Sequence, residues 1–234
     1  MKKAIFLSLI MGSISLPAAA DEDFDAKVLD AIRRNPVIVL EALQSIKEMQ
    51  AAQQQAQQDA LMAEHLPALL DASTASHVKN PEGTITIVEY YDYNCGYCKR
   101  AESVVSSVAA ENPDVRVLYK EFPIFGEASQ HAARVSMALE QQGLFEEFHR
   151  AAMASDDTDS VVGIDRIARD IGADMDALAA AVETPAYVET ITSNSDVAQK
   201  SGIAGTPAFI IGGKLHFGFL EQDEMEALIT EERG

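Results

Sequence analysis

The chain has 234 residues, with 18 basic and 37 acidic side chains and a formal net charge of −19. That balance excludes nucleic acid and anionic membrane as natural partners. Only two cysteines are present, so a multi-bridge disulfide framework is excluded as well.

Residues 1–20 read as a secretory signal. Lys2 and Lys3 give a basic start, Ala4 to Leu16 are almost entirely apolar, and Pro17-Ala18-Ala19-Ala20 supplies a small-residue cleavage pattern before Asp21. The apolar run is shorter than the about 20 residues of a membrane span. Its removal takes two lysines and no acid, leaving a formal charge of −21. This predicts a secreted, periplasmic protein in a compartment that permits disulfides.

Residues 21–75 are helical in character. A short helix over Asp25 to Arg34 ends at Asn35-Pro36, and a second runs to about Leu70, with Pro67 bending or terminating it. Val39, Ala42, Ile46, Met49, Gln53, Ala56, Ala60 and Ala63 recur in steps of three and four. That is the seam of a coiled coil. The stretch is read as an oligomerisation stalk, the alternative being a helix folded back on its own domain. Residues 72–83 form a polar connector.

From residue 76 to 234 the pattern is α/β. Thr84 to Tyr91 and Val115 to Phe122 are strand-like, with an amphipathic helix between them, so the unit is β-α-β. Helical periodicity then persists in five segments from Ser129 to Ser201, an inserted subdomain over about 127–202. Ala208 to Ile211 and Leu215 to Phe219 flank Gly212-Gly213 as an antiparallel hairpin, and Gln222 to Glu232 closes the chain as a helix.

The organising stretch is Asp92-Tyr93-Asn94-Cys95-Gly96-Tyr97-Cys98-Lys99-Arg100, at the junction of the first strand and its helix. Cys95 falls at the first helical turn, where free N–H groups and the helix dipole favour a thiolate. Cys98 shares a helix face with Ala101, Val105 and Val108, which turns it inward and leaves Lys99, Arg100 and Glu102 toward solvent. Cys95 is thus the accessible sulfur and Cys98 the sheltered one. Lys99 and Arg100 would lower the Cys95 pKa. Glu89, in the preceding strand, is either a buried carboxylate that relays a proton from Cys98 or a solvated strand glutamate.

Three motifs together resemble the DsbA superfamily of secreted thiol–disulfide oxidoreductases: the C-x-x-C stretch from Tyr91, Phe122-Pro123-Ile124-Phe125-Gly126 with Ser129 and Ala132-Ala133, and Gly205-Thr206-Pro207-Ala208-Phe209. The helical extension makes the chain most similar to the Com1-like and ScsC-like branch. The resemblance implies a thioredoxin fold with a helical insertion over roughly Thr84 to the C-terminus. It also implies a cis Pro207 facing the cysteines, with the Thr206 backbone pairing with substrate. Cys95 would form the mixed disulfide and Cys98 resolve it. Gly96-Tyr97 and Thr206 look more like secreted isomerases than strong oxidases, so an isomerase or reductase is expected, with a dithiol oxidase as the alternative. The implied partners are unfolded or misoxidised secreted proteins, a membrane thiol reductase (or oxidase), and further copies of the chain, since some members of that branch are trimers. No cofactor is expected. Copper binding or a chaperone without redox turnover are the readings from other classes. Against a metal site, His65, His77, His131, His149 and His216 are scattered without ligand spacing.

Overall fold

The structure, a computed structural model, describes residues 21–234, so the signal read at residues 1–20 lies outside the described residues. The described chain forms two compact units, one ending at Gln54 and the other running Gln55–Gly234. The first holds α1 (Asp21–Arg34) and the start of α2 (Val37–Leu69), separated where Pro36 has no N–H to continue the ladder. Its large apolar side chains are exposed, among them Phe24, Leu29, Val37, Leu40, Leu43, Ile46 and Met49.

The second unit is a mixed five-stranded sheet in the order β1-β3-β2-β4-β5, made of β1 (His77–Lys79), β2 (Ile85–Tyr91), β3 (Val115–Glu121), β4 (Ala208–Ile211) and β5 (Lys214–Phe217). β2 and β3 are parallel, joined through α3 (Gly96–Glu111); the other pairings are antiparallel. Strand alternation divides the core in two. Ile85, Ile87, Tyr91, Val117 and Phe209 face α3 and the inserted helices. Val88, Tyr90, Leu118 and Ile210 face the other way, onto Met62 and Leu69 of α2.

The insert comprises α4 (Glu127–Glu140), α5 (Phe145–Met153), α6 (Val161–Asp170), α7 (Met175–Ala181) and α8 (Pro185–Lys200), and α9 (Gln222–Arg233) closes the unit. The β4–β5 turn needs left-handed backbone at both central positions, and Gly212 (φ +56°) and Gly213 (φ +73°) supply it.

Two readings from the sequence are refined. The polar connector contains β1, an edge strand antiparallel to β3 that is held by polar side chains as well as by the packing of Val78. His77 bonds Glu140 at 2.8 Å and Lys79 bonds Glu146 at 2.6 Å. In the later part of α2, Ala56, Ala60 and Ala63 are exposed, whereas Met62 and Leu69 are buried with Leu66 packed beside them. Larger side chains remove more apolar area from water than alanine, so this stripe rather than the alanine seam packs on the sheet. Pro67 lies inside the last turn, and α2 ends two residues after it.

Candidate active site

β2 ends at Tyr91, and Cys95 is the N-cap of α3, with extended backbone (φ −85°, ψ 114°). Its sulfur takes the place of a capping oxygen, accepting the Cys98 N–H at 3.4 Å. In this dithiol form the Cys95 thiol donates to the Thr206 carbonyl at 3.2 Å. The Thr206–Pro207 peptide bond is cis and opens β4. Cys95 is 5% exposed and Cys98 is fully enclosed at 0%.

Hydrogen bonds to its charged form bring the Cys95 thiol down to about 6. The Cys98 thiol contributes most, the Thr206 side chain and the Cys98 and Tyr97 amides add to it, and burial opposes them. Thr206 Oγ1 is buried and has no hydrogen-bond partner in the dithiol form, so it is available to the thiolate. Burial pushes the Cys98 thiol far in the other direction. The two sulfurs, three residues apart, are thus unlike: one ionises at neutral pH and the other stays protonated until it is needed.

The charges of Lys99 and Arg100, to which the sequence points, are not the cause of the low Cys95 value. Lys99 does not face open solvent either. Its Nζ donates to the Ser155 carbonyl and to Thr158 Oγ1, because the insert covers that side of the first turn of α3. Arg100 lies over the Phe219 ring at 4.4 Å.

Asp92 has a larger positioning part than sequence reasoning gives it. Its buried carboxylate accepts from Asn94 N (2.7 Å) and Ser129 Oγ (2.7 Å) through one oxygen, and from Ile124 N (2.7 Å) and Phe125 N (3.1 Å) through the other. Asn94 Nδ2 also reaches Ser129 Oγ at 2.9 Å, and Cys95 N donates to the Asp92 carbonyl at 3.1 Å. One carboxylate therefore joins the cysteine turn, the loop after β3 and the start of α4. The signal available beforehand is the Asp-x-Asn spacing of an Asx turn directly after a strand.

Glu89 is buried rather than solvated. It is 1% exposed, Oε2 has no hydrogen-bond partner, and burial, then Glu102, Cys95 and Glu121, push its pKa up to about 8. Glu121, also buried, is pushed to about 8 by its own burial. Between roughly pH 4.5 and 8 the folded chain keeps protons on these two residues that unfolded glutamates have released, so their contribution to stability falls as pH rises through that window. Glu89→Gln is expected to shrink the loss of unfolding free energy between pH 5 and pH 8 by at least about 1 kcal/mol, leaving a residual slope from Glu121. Urea unfolding at both pH values reads this, and an unchanged slope would refute it.

Among the described residues no group of three or more His, Cys, Asp or Glu side chains is placed to hold a metal ion, and no helix is long and apolar enough to cross a membrane.

The family model described as a DSBA-like thioredoxin domain matches residues 86–230. Similar solved structures include a thioredoxin-like oxidoreductase from Silicibacter pomeroyi DSS-3, 40% identical with a TM-score of 0.68, covering 70% of this chain and 95% of that one. Proteus mirabilis ScsC in a compact conformation is 26% identical with a TM-score of 0.68, covering 92% and 98%. A periplasmic thioredoxin-like protein from Salmonella enterica serovar Typhimurium is 29% identical with a TM-score of 0.63, covering 72% and 95%. Curated relatives include the Na(+)/H(+) antiporter NhaA 3 of Salinispora tropica, 29% identical over 156 residues, but the match spans only 24% of that protein's length. Matched over more than half its length, the chain belongs to the DSBA-like thioredoxin domain family.

Proposed function

We propose that this chain is a periplasmic thiol–disulfide interchange enzyme that reduces or isomerises wrong disulfides in unfolded or misoxidised secreted proteins and works as a homo-oligomer. The observation that carries the exchange chemistry is the Cys95 sulfur, lowered to about 6 and set between the Cys98 N–H and the Thr206 carbonyl. Cys95 attacks a substrate disulfide and forms the mixed disulfide; Cys98 resolves it. Glu89, buried near both sulfurs with its carboxyl raised to about 8, takes the proton that Cys98 gives up when it is in its ionised form, a minor fraction at neutral pH. Pro207 and Thr206 flank the sulfur where an extended substrate pairs with backbone.

The isomerase direction is supported by Gly96-Tyr97 and Thr206, as in the resemblance above, and by the exposed apolar side chains of α1 and early α2. Their number suits burial against further copies, and several sites presented together suit disulfide shuffling. Periplasmic placement is supported by the signal-like residues 1–20 and by the Salmonella relative described as periplasmic. A membrane thiol reductase would return the pair to the dithiol.

One observation favours the oxidase alternative: stabilising the Cys95 thiolate stabilises the reduced enzyme and makes its disulfide more oxidising, by about 30 mV per tenfold step. Reactivation of a scrambled multi-disulfide substrate separates the two, run with the full chain and with a chain starting at Gln55. The expected result is reactivation by the full chain alone, while the shorter chain only reduces or oxidises thiols. If neither reactivates the substrate and both introduce disulfides, the protein is an oxidase.

A further inference from the structure

Glu121 is a buried carboxyl that the exchange chemistry leaves unused, and it does not stand alone. Its Oε1 accepts from Tyr91 Oη and from Ser136 Oγ. Tyr91 Oη meets Tyr93 Oη at 3.4 Å, and Tyr93 Oη meets His149 Nδ1 at 3.2 Å. Every member of this series is buried. Edge-on packing of Tyr91 on Tyr93 and stacking of His149 on Phe145 hold the rings in place. His149 also lines a recess of about 200 Å³ between α3 and α5, which leaves Nε2 as the nitrogen open to solvent.

A buried polar network that only holds the fold needs satisfied partners and nothing more. In this one each hydroxyl both donates and accepts, one end is a carboxyl, and the other end is an imidazole that touches solvent. With Glu121 ionised, His149 Nδ1–H donates to Tyr93, Tyr93 to Tyr91, and Tyr91 to Glu121. A proton arriving at Nε2 from water in the recess lets each of those three protons move one bond along. Glu121 becomes neutral, His149 passes from its Nδ1–H to its Nε2–H tautomer, and one proton has been taken from water. Burial holds the imidazole uncharged at neutral pH, at about 3, so it relays by changing tautomer rather than by carrying charge. Asp92 acts on Glu121, and Glu121 in turn acts on Glu89. His149 faces His77 from β1 and Arg150 on its own helix, and the recess adds Lys79, Glu102 and Glu146.

We propose that Tyr91, Tyr93 and His149 conduct protons between Glu121 and the recess, and that Glu121 competes with Glu89 for the one negative charge that this core admits. This rests on the reading of Glu89 as the acceptor of the Cys98 proton and adds what governs its charge. Two buried carboxylates repel, so Glu89 ionises readily only while Glu121 keeps its proton. The recess is walled by α3 residues from Glu102 to Ala110, beyond the first turn that carries the cysteines, so Glu121 is recharged even while a polypeptide covers Cys95. Glu121, Tyr91, Tyr93 and His149 are thus positioning residues, acting on the sulfurs through Glu89.

Two readouts on the reduced full chain test this. In the first, the pH is dropped from about 9 to about 6 and the carboxyl stretch of Glu121, identified by its loss in Glu121→Gln, is followed by time-resolved infrared spectroscopy. Tyr93→Phe keeps the ring and removes the link, and is expected to slow this protonation at least about tenfold, as is His149→Phe. The second readout is the decay of the mixed disulfide formed with glutathione disulfide. In that step Cys98 gives its proton to Glu89, its sulfur bonds to the Cys95 sulfur, and glutathione leaves as a thiolate that takes a proton from water. The expected pH profile rises in two steps in the wild-type chain, because two coupled acids share the titration. Glu121→Gln is expected to merge them into one step of lower midpoint and to speed the decay about twofold at about pH 8. Protonation of Glu121 as fast in both chain variants as in the wild type refutes the conducting chain. A two-step profile that survives Glu121→Gln refutes the competition with Glu89. Failure of the wild-type chain to form the mixed disulfide overturns the exchange reading instead, and the infrared measurement, which needs no exchange, still decides the chain.

Discussion

Cys95→Ser is expected to lower disulfide exchange by at least about 10³-fold, because a serine hydroxyl does not supply the anionic nucleophile that exchange requires. Cys98→Ser is expected to give a different defect. Cys95 still attacks, but nothing resolves the product, so the variant accumulates as a mixed disulfide with its substrate, visible as a mass shift that dithiothreitol reverses. The environments of the two sulfurs set these roles. Alkylation of reduced wild-type chain should follow a titration at about 6 and consume Cys95, whose sulfur is reached by several hydrogen bonds. Cys98 should resist alkylation until the chain unfolds, since it is enclosed and its thiol stays protonated. Replacing Cys98 also tests the cause of the low value. The Cys98 thiol is its largest contributor, so Cys98→Ala should move the Cys95 midpoint above 6, and Cys98→Ser, which keeps a donor, should move it less. Equal alkylation of both cysteines, or a midpoint unmoved in Cys98→Ala, would show that this account of the thiolate is mistaken.

The parts of this site that follow strong local rules were legible in the sequence. A C-x-x-C pair between a strand-like run and an amphipathic run places one sulfur at a helix terminus and the other on the buried face, and both sulfurs lie there. The Gly212-Gly213 hairpin is equally local, since few residues tolerate two successive left-handed positions. What was not legible depends on partners distant in sequence. Lys99 reads as solvated because α3 alone leaves it outside, and only the insert, more than fifty residues later, brings Ser155 and Thr158 to it. Asp92 reads as one more polar residue of the motif until Ile124, Phe125 and Ser129 converge on it. β1 escaped because three half-buried residues carry no alternation to detect, and its place is set by ion pairs to α4 and α5. The choice at Glu89 stayed open for the same reason. A glutamate in a strand is solvated or buried according to what covers the sheet, which its own neighbours in sequence do not specify.

A chain starting at Gln55 is expected to unfold cooperatively near the midpoint of the full chain, whereas one starting at Ser76 is expected to lose at least about 4 kcal/mol and to be largely unfolded or insoluble. Cutting at Ser76 removes several supporting contacts at once. Met62 and Leu69 are buried against Val88, Tyr90, Leu118 and Ile210, and each such side chain contributes about 1.5 to 3 kcal/mol. Lys120 on β3 is fully enclosed, and its Nζ is held by the Asp71 carbonyl at 2.5 Å and by Thr74 Oγ1. Burial already brings its pKa down to about 8, and cutting at Ser76 removes both acceptors. A buried donor or charge left unpaired costs about 1 to 3 kcal/mol or more. The two contributions separate in a Lys120→Met version of the Ser76 chain, which abolishes the unpaired charge but does not restore the apolar contacts. Partial recovery is the expected outcome. Full stability of the Ser76 chain without that change would mean that the end of α2 rests on the sheet without supporting it.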